Sequence, residues 1–384
     1  MRGRKIDFYH ANIVNKLKLF AKKPSYILFY LDRFRKYSGT QQFDAFIISY
    51  PKSGRTWLQK MMIEAVLQEN GKQGVGECGL LKGLSFDDVL NYEEKLQWVC
   101  NNISLGKDEL WALLKDFPSI QFGVEQAFLS LENENAFVLF PSDFTQKKHP
   151  IAINGLIWMG DEAYMLEQIQ QKLQQGFRCI KMKIGAINFD QEIAIIKSIR
   201  KQYSKEQIEL RIDANGAFSV DEALDKLKTL AALDIHSIEQ PIKQGQYSAM
   251  KDLCKTSPMP IALDEELIGV VDYKAKEELL QQIKPQYIIL KPSLIGGYKG
   301  SQEWIHIAED LGVKWWITSA LESNIGLNAI AQWTFTLQNT LPQGLGTGSL
   351  YTNNLKSPLQ VAEGNLYYDN HGSWKTKLIE ELCT

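Results

Sequence analysis

The chain has few of the features that mark membrane proteins, secreted proteins or metal-thiolate proteins. Its early apolar stretch, LKLFAKKPSYILFYLDRF, is broken by charged residues and by Pro24, so no run is long enough to span a bilayer. The five cysteines form neither a CxxC pair nor a zinc-site spacing, which argues against a disulfide framework. We therefore expect a cytoplasmic protein without stable membrane insertion.

The chain also lacks an excess of charge of either sign. It has 43 Lys and Arg residues against 45 Asp and Glu residues, a formal net charge of −2 at pH 7. A nearly neutral protein has no general affinity for nucleic acid, so nucleic acid is not an expected partner. With 384 residues the chain has room for two or three domains and a sizeable core. The sequence leaves the oligomeric state open.

A regular alternation of short β-rich runs and helical patterns begins near residue 150. Eight runs are visible, and they start at residues 151, 177, 208, 235, 260, 286, 314 and 343. Strands that alternate with helices pair in parallel through right-handed crossovers, and eight is the number of strands that closes a barrel. The pattern therefore predicts an α/β protein built on a parallel barrel.

Charged residues stand at the carboxyl ends of five consecutive runs, about one βα unit apart. They are Lys181, Lys183, Asp213, Glu239, Asp264 and Lys291. One such carboxylate alone is more often a helix cap than a ligand, but six charged residues in register are hard to explain as caps. Because the carboxyl ends of barrel strands meet at one rim, we expect these side chains to converge.

Converged carboxylates repel one another unless a cation neutralises them. A set of oxygen ligands without His or Cys is typical of Mg²⁺, for which Mn²⁺ can substitute. Lysines buried beside such a cation should have pKa values lowered toward neutrality, and a neutral lysine can act as a base. The arrangement predicts removal of a proton α to a carboxylate, with the cation offsetting the negative charge that develops.

The motifs resemble a known group of enzymes. KMKIG, RIDANGAFS, SIEQP, ALDEE and ILKPSLIGG, in this order, resemble the muconate-lactonizing subgroup of the enolase superfamily. Within that subgroup, INGLIWMG at 153, TSALESNIGL at 318 and GLGTGSLYTNN at 344 resemble the o-succinylbenzoate synthase family. The likeness covers residues 70 to 384. It implies a (β/α)7β barrel with an α+β capping domain, and a small-molecule carboxylate as the substrate. The implied reaction is syn dehydration of 2-succinyl-6-hydroxy-2,4-cyclohexadiene-1-carboxylate in menaquinone biosynthesis.

The resemblance also implies roles for individual residues. The residues that match the metal ligands are Asp213, Glu239 and Asp264. Lys183 matches the base, Lys181 would lie beside the substrate carboxylate, and Lys291 would steady the charged intermediate from the opposite side. The residues that match substrate contacts are Ser319, Gly346 and Thr347. A lysine base combined with Mg²⁺ is the division of labour known for this superfamily.

The same resemblance predicts how the chain is divided. The expected parts are a separate amino-terminal segment (1–69), a capping domain (70–148), the barrel (149–354) and a carboxyl-terminal return to the cap (355–384). GKQGVGECGLLKGLS at 71 matches a strand and loop of the cap, and FPSIQFGVEQAFLSL at 117 matches its helix. No pattern for the cap's first strands or lid loop is visible before residue 70. Without a lid, water exclusion and substrate grip would weaken.

Residues 1–68 resemble a different family. The stretch FIISYPKSGRTWLQKMM, residues 46 to 62, predicts a strand, a tight loop with Lys52, Ser53 and Gly54, and then a helix. Such a loop presents backbone N–H groups to an anion, and it resembles the phosphosulfate-binding loop of cytosolic sulfotransferases. No sulfotransferase domain follows, so we expect no sulfuryl transfer. We interpret the segment as a graft, either fused or mis-joined, that replaces part of the cap.

Two other functions stay open from the sequence. An N-acylamino acid racemase or a dipeptide epimerase of the same superfamily would use Lys183 and Lys291 as bases on opposite faces. Dipeptide epimerases usually carry Asp-x-Asp at the eighth strand, whereas this chain has GLGTG there. The third interpretation is an inactive barrel that follows a nucleotide-phosphate-binding amino-terminal segment.

Overall fold

The computed structural model describes residues 48–51, 59–62, 67–69, 72–158, 160–350 and 354–374. Two pairs of short strands come first. The strands are β1 (Ile48–Pro51), β2 (Gln59–Met62), β3 (Leu67–Glu69) and β4 (Lys72–Gly74). β1 pairs antiparallel with β2, and β3 pairs antiparallel with β4.

Strand β2 corrects one expectation from the sequence. The helix predicted at the end of the 46–62 stretch is wrong for Gln59–Met62, which is a strand. The region before residue 70 also contains strands, where no strand pattern for a cap is visible in the sequence. The strand conformation of these residues depends on pairing with a separate segment of the chain, and the local propensity of the residues does not reveal that pairing. The predicted phosphate loop, with Lys52, Ser53 and Gly54, lies outside the described residues.

Four helices follow, and the first three share a hydrophobic core. They are α1 (Tyr92–Asn101), α2 (Lys107–Leu113), α3 (Pro118–Glu132) and α4 (Asp143–Lys147). Proline suits the first position of α3 because no intrahelical partner exists for an N–H there. Leu96, Leu110 and Ile120 are buried together in a cluster that is separate from the barrel core.

The chain then alternates strands and helices. The elements are β5 (Ile151–Ala152), β6 (Gly155–Ile157), α5 (Glu162–Gln174), β7 (Cys179–Lys183), α6 (Phe189–Gln202), β8 (Glu209–Asp213), α7 (Val220–Ala231), β9 (Ser237–Glu239), α8 (Tyr247–Thr256), β10 (Ile261–Leu263), α9 (Tyr273–Ile283), β11 (Tyr287–Leu290), α10 (Gly297–Asp310), β12 (Lys314–Ile317) and α11 (Asn324–Thr336). β6 to β12 form one parallel sheet in chain order, and their residues are mostly buried, as expected for strands covered on both faces. None of the helices in the described part of the chain is long and apolar enough to cross a membrane.

The eighth predicted run closes the barrel without forming a full strand. Gln343 makes a parallel bridge to Ile153, and Gly344 makes one to Thr318. The Gly344 N–H donates to the Ile317 carbonyl at 2.8 Å. Residues 343–344 therefore join the end of β12 to the chain just before β6, as the predicted (β/α)7β barrel requires.

The carboxyl-terminal tail contacts both earlier parts of the chain. β13 (Leu359–Ala362) and β14 (Asn365–Tyr368) form an antiparallel hairpin, and β14 also pairs with β5. The first predicted run is thus split, since β5 joins the tail and β6 joins the barrel. Trp374 stacks on Phe137 with ring centroids 4.3 Å apart. The predicted domain boundaries stay predictions.

Candidate active site

The strand register brings the six predicted charged residues to one rim of the barrel. Lys183 lies opposite Asp213 in the β7–β8 pair, and Asp213 lies opposite Glu239 in the β8–β9 pair. Asp264 and Lys291 come directly after β10 and β11. Lys181 lies on the same face of β7 as Lys183, because alternate residues of a strand point the same way. All six positions are therefore at the carboxyl ends of neighbouring strands.

The lysine ammonium groups lie between the carboxylates. Lys181 Nζ is 2.8 Å from Asp213 Oδ2 and 2.5 Å from Glu239 Oε2. Lys183 Nζ is 2.6 Å from the same oxygen of Asp213. Asp213 and Glu239 are only 0% and 2% exposed, so both carboxylates depend on these contacts in place of water.

A second set of contacts includes two residues that the sequence analysis missed. Lys291 forms an ion pair with Asp264. Lys183 Nζ donates to Asn215 Oδ1 at 2.6 Å, and Asn215 Nδ2 donates to Glu265 Oε1 at 2.8 Å. Asn215 and Glu265 stand inside the RIDANG and ALDEE motifs, immediately after the strand ends. Each lies within two residues of a motif carboxylate, and that position is the sequence signal that could have identified them.

Burial and neighbouring charges set the protonation of this cluster. Burial favours neutral lysines, but the surrounding carboxylates together outweigh it. Asp213 and Glu239 raise the pKa of Lys181, and Asp264, Glu239 and Glu265 raise that of Lys291. Against the effect of burial, the two β7 lysines hold the pKa of Asp213 below its usual range. Burial first, and then the charge of Asp213, raises the pKa of Glu239 well above its ordinary value.

These pKa shifts bear on the predicted metal site. The sequence predicts lowered pKa values for lysines beside a bound cation, and this stays a prediction, because the carboxylates that raise the pKa values of Lys181 and Lys291 here are not neutralised by a metal. The ammonium groups themselves neutralise the carboxylates. Among the described residues, no group of three or more His, Cys, Asp and Glu side chains is arranged as a metal-binding cluster.

Two buried carboxylate oxygens nevertheless fit a cation. Glu239 Oε1 and Glu265 Oε2 are buried and have no hydrogen-bond partner. A buried polar atom without a partner costs free energy, and a hard cation is a partner that carboxylate oxygens prefer. The donor set at this rim therefore fits a metal such as Mg²⁺.

A cavity of about 380 Å³ adjoins the lysines. Its polar walls include all three lysines and the three predicted substrate contacts, which are Lys181, Lys183, Lys291, Ser319, Gly346 and Thr347. Its apolar walls include Leu156, Trp158 and Leu321 of the barrel, and Leu81 and Leu84 from the chain before the barrel. Both parts of the chain thus form the walls of the candidate site.

A chain of hydroxyl groups supports one wall of the cavity. Thr347 Oγ1 donates to Ser319 Oγ at 2.8 Å, and Ser319 Oγ donates to Glu322 Oε2 at 2.5 Å. The other oxygen of Glu322 accepts from Ser293 Oγ at 2.5 Å. Glu322, which the sequence analysis did not single out, therefore connects the loops that follow β11 and β12.

A larger cleft of about 830 Å³ lies at the amino ends of β10 to β12. Its walls include Pro260, Lys284 and Lys314, and none of its described lining residues is a carboxylate. Barrels of this kind carry their active sites at the carboxyl ends of the strands, where the six charged residues are. The smaller cavity is therefore the candidate active site.

Comparison with known proteins supports this assignment. The family model described as "Enolase C-terminal domain-like" matches residues 164–372, more than half of the chain. That range contains the six charged residues and the three predicted substrate contacts.

Two similar proteins and one solved structure extend the match beyond the barrel. The o-succinylbenzoate synthase of Desulfotalea psychrophila (strain LSv54 / DSM 12343) is 44% identical over 342 residues, covering 81% of this chain and 91% of that protein. An L-Ala-D/L-Glu epimerase of Francisella tularensis subsp. novicida is 28% identical over 322 residues, covering 80% and 86%. The crystal structure of MenC from Desulfotalea psychrophila LSv54 has a TM-score of 0.73 at 40% identity, covering 88% of this chain and 99% of that one. These matches confirm the predicted fold class.

Proposed function

We propose that this chain, which belongs to the enolase superfamily and to its o-succinylbenzoate synthase family, is a dehydratase that forms o-succinylbenzoate. Its substrate is 2-succinyl-6-hydroxy-2,4-cyclohexadiene-1-carboxylate, and the reaction belongs to menaquinone biosynthesis. The 44% identity with the Desulfotalea psychrophila o-succinylbenzoate synthase, over most of both chains, carries this proposal. Enzymes of this superfamily generally depend on a metal ion.

The proposed metal is Mg²⁺, with Mn²⁺ as a possible substitute. The proposed ligands are Asp213, Glu239 and Asp264. Support comes from the all-oxygen donor set, from the burial of these side chains and from the unpaired Oε1 of Glu239. When bound, the metal supplies positive charge against the negative charge that builds on the substrate carboxylate.

Lys183 is the proposed base. Its Nζ contacts Asp213 and Asn215, and the residue also lines the cavity. As the base, Lys183 Nζ takes the α-proton of the substrate and then returns that proton to the departing hydroxide, which leaves as water. A C–H and a C–O bond break while a C=C bond forms and completes the aromatic ring. One base on one face is sufficient for this syn elimination.

Lys181 and Lys291 are proposed to act through their positive charge. Both line the cavity, and against the effect of burial the carboxylates around them raise the pKa values of Lys181 and Lys291. Lys181 would pair with the substrate carboxylate, and Lys291 would steady the charged intermediate from the opposite side. Neither role requires a proton transfer.

Ser319, Gly346 and Thr347 are the proposed contacts to the substrate's carboxylates. Ser319 already donates its hydrogen to Glu322, so Thr347 is the hydroxyl that can turn its hydrogen from Ser319 to a ligand. Gly346 adds no side chain to this wall. The apolar wall that includes Leu81 suits the ring of the substrate.

The proposed setting is the cytoplasm, with a small-molecule carboxylate as partner. The described cysteines are free thiols, which suits a reducing compartment: Cys78, Cys100, Cys179 and Cys254.

An N-acylamino acid racemase is the second candidate. Lys183 and Lys291 line the same cavity, as a mechanism with two bases requires. A dipeptide epimerase is less supported, since residues 344–347 provide no carboxylate to hold a substrate amino group.

Product formation tests the proposal. Wild-type protein with Mg²⁺ should convert the cyclohexadiene substrate to o-succinylbenzoate, and a chelator should abolish the reaction. Lys183→Ala should show no conversion, whereas Lys228→Ala, which removes an exposed lysine of helix α7, should retain it. A folded wild-type protein that forms no product with either metal would overturn the proposal.

A further inference from the structure

Gln240 has an unusual backbone conformation at the end of β9. It directly follows Glu239, is fully buried and has a φ of +39°, in the left-handed region that favours glycine. A buried residue other than glycine keeps such a conformation only where its surroundings hold it there.

The side-chain amide of Gln240 is completely used. Its Oε1 accepts from the backbone N–H groups of Asp264 at 3.2 Å and Glu266 at 3.3 Å. Its Nε2 donates to the Ile242 carbonyl at 3.0 Å and to Glu266 Oε2 at 2.9 Å. Both amide hydrogens and the carbonyl oxygen therefore have partners. The Gln240 side chain, which directly follows β9, thus holds the backbone at the end of β10.

The backbone of Gln240 adds two further links between strand ends. Its N–H donates to the Ala262 carbonyl at 2.9 Å, and its carbonyl accepts from the Gly216 N–H at 2.7 Å. Gly216 lies three residues after Asp213, which is the last residue of β8. Gln240 therefore connects the ends of β8, β9 and β10, which carry the three carboxylates.

We infer that Gln240 is a positioning residue that fixes the spacing of Asp213, Glu239 and Asp264 for cation binding. The inference rests on the proposed function, because it takes these carboxylates as the metal ligands. Mg²⁺ requires near-octahedral geometry, so a small change in the spacing of its ligands weakens binding. Gln240 itself acts through the backbone, and no cation contact is required of it.

Gln332 of helix α11 provides a matched control. It is also fully buried, and its Oε1 accepts from the backbone N–H groups of Leu139 and Phe140. Its Nε2 donates to the Phe137 carbonyl and to Asn328 Oδ1. The number of hydrogen bonds equals that of Gln240, and they differ in kind at one side-chain acceptor, which is the Asn328 amide here and the Glu266 carboxylate there. The bonds of Gln332 hold a segment before the barrel and no strand end.

The test compares Gln240→Met with Gln332→Met in the full-length, metal-free protein, by Mg²⁺ calorimetry and thermal unfolding. Both variants should lose similar thermal stability. Only Gln240→Met should weaken Mg²⁺ binding, by about 10- to 100-fold, the loss typical when groups that orient metal ligands are removed. Unchanged affinity in Gln240→Met, or equal losses in both variants, would overturn the inference alone. A wild-type protein that does not bind Mg²⁺ would overturn the proposed metal site and this inference with it.

Gln240→Gly keeps the test decisive if the Met variant does not fold. Glycine adopts a φ of +39° without strain and keeps both backbone hydrogen bonds, so the loss is confined to the side chain with its amide. The same loss of Mg²⁺ affinity is expected. Wild-type affinity in Gln240→Gly would contradict the positioning role.

Discussion

Glu77 joins the chain before the barrel to the loop after β12, and we predict that Glu77→Gln loosens that loop. Its fully buried carboxylate accepts from Ser323 N at 2.8 Å, Ser323 Oγ at 2.5 Å and Gly326 N at 2.8 Å. Ser323 is the N-cap of α11, so the carboxylate faces the positive end of a helix. Ser319, a proposed substrate contact, lies only four residues earlier.

The expected loss in the free energy of unfolding follows from these three hydrogen bonds. Gln replaces one acceptor oxygen with an NH₂ group, so the N–H of Ser323 or of Gly326 then faces a donor. A buried N–H without a partner costs about 1–3 kcal/mol. Losing the negative charge at the helix start adds about 0.3–1 kcal/mol. The free energy of unfolding should therefore fall by about 1–4 kcal/mol in total.

Urea unfolding and steady-state kinetics check this prediction, with Ser130→Ala as the control. Ser130 Oγ accepts from the Val75 N–H at 2.9 Å and donates to the Ala136 carbonyl, so it holds the chain close to Glu77 without reaching α11. Both variants should lose stability, but only Glu77→Gln should raise KM, with little change in kcat. A Glu77→Gln protein with wild-type KM and stability within about 0.5 kcal/mol of wild type would refute the reasoning.

Metal binding, pH dependence and the amino-terminal loop provide three more tests. Glu239→Gln removes the charge of a proposed ligand, so Mg²⁺ affinity measured by calorimetry should fall by more than about 10- to 100-fold, and unchanged affinity would exclude Glu239 as a ligand. Burial raises the pKa of Glu125 from 4.5 to about 8, against hydrogen bonds from the Lys299 and Tyr298 N–H groups. The native state keeps a proton that the unfolded chain has released between these values, so the free energy of unfolding should fall as pH rises through that window. Glu125→Gln should flatten this dependence, and a wild-type stability that increases over the window would contradict it. A sulfotransferase assay should detect no turnover, and transfer that disappears on Lys52→Ala would contradict our interpretation of residues 1–68.

The barrel could be predicted from the sequence because each strand has a local signal. Asp213, Glu239 and Asp264 recur about one βα unit apart, and the rim follows from parallel pairing alone. The eighth run was also visible, although the structure reduces it to bridges at Gln343 and Gly344. Patterns that repeat along the chain are therefore enough to place the candidate site.

Contacts between distant segments could not be predicted in the same way. The roles of Gln240 and Asn215 depend on groups that neighbouring strands bring to them, and a single strand end does not reveal these. The strand at Gln59–Met62 depends on its pairing with β1. The raised pKa of Lys181 depends on two carboxylates within hydrogen-bond distance, and the sequence alone does not give those contacts.

The most direct test of the central claim gives the wild-type protein two substrates in deuterated water with Mg²⁺. One is the succinyl-hydroxycyclohexadiene carboxylate and the other is an N-succinyl amino acid, and kcat/KM is compared for dehydration and for α-deuterium exchange. We expect dehydration to o-succinylbenzoate to be faster by a wide margin, because a single base at Lys183 is sufficient for it. Faster exchange into the amino acid, with no o-succinylbenzoate formed from the first substrate, would contradict the account and favour a racemase.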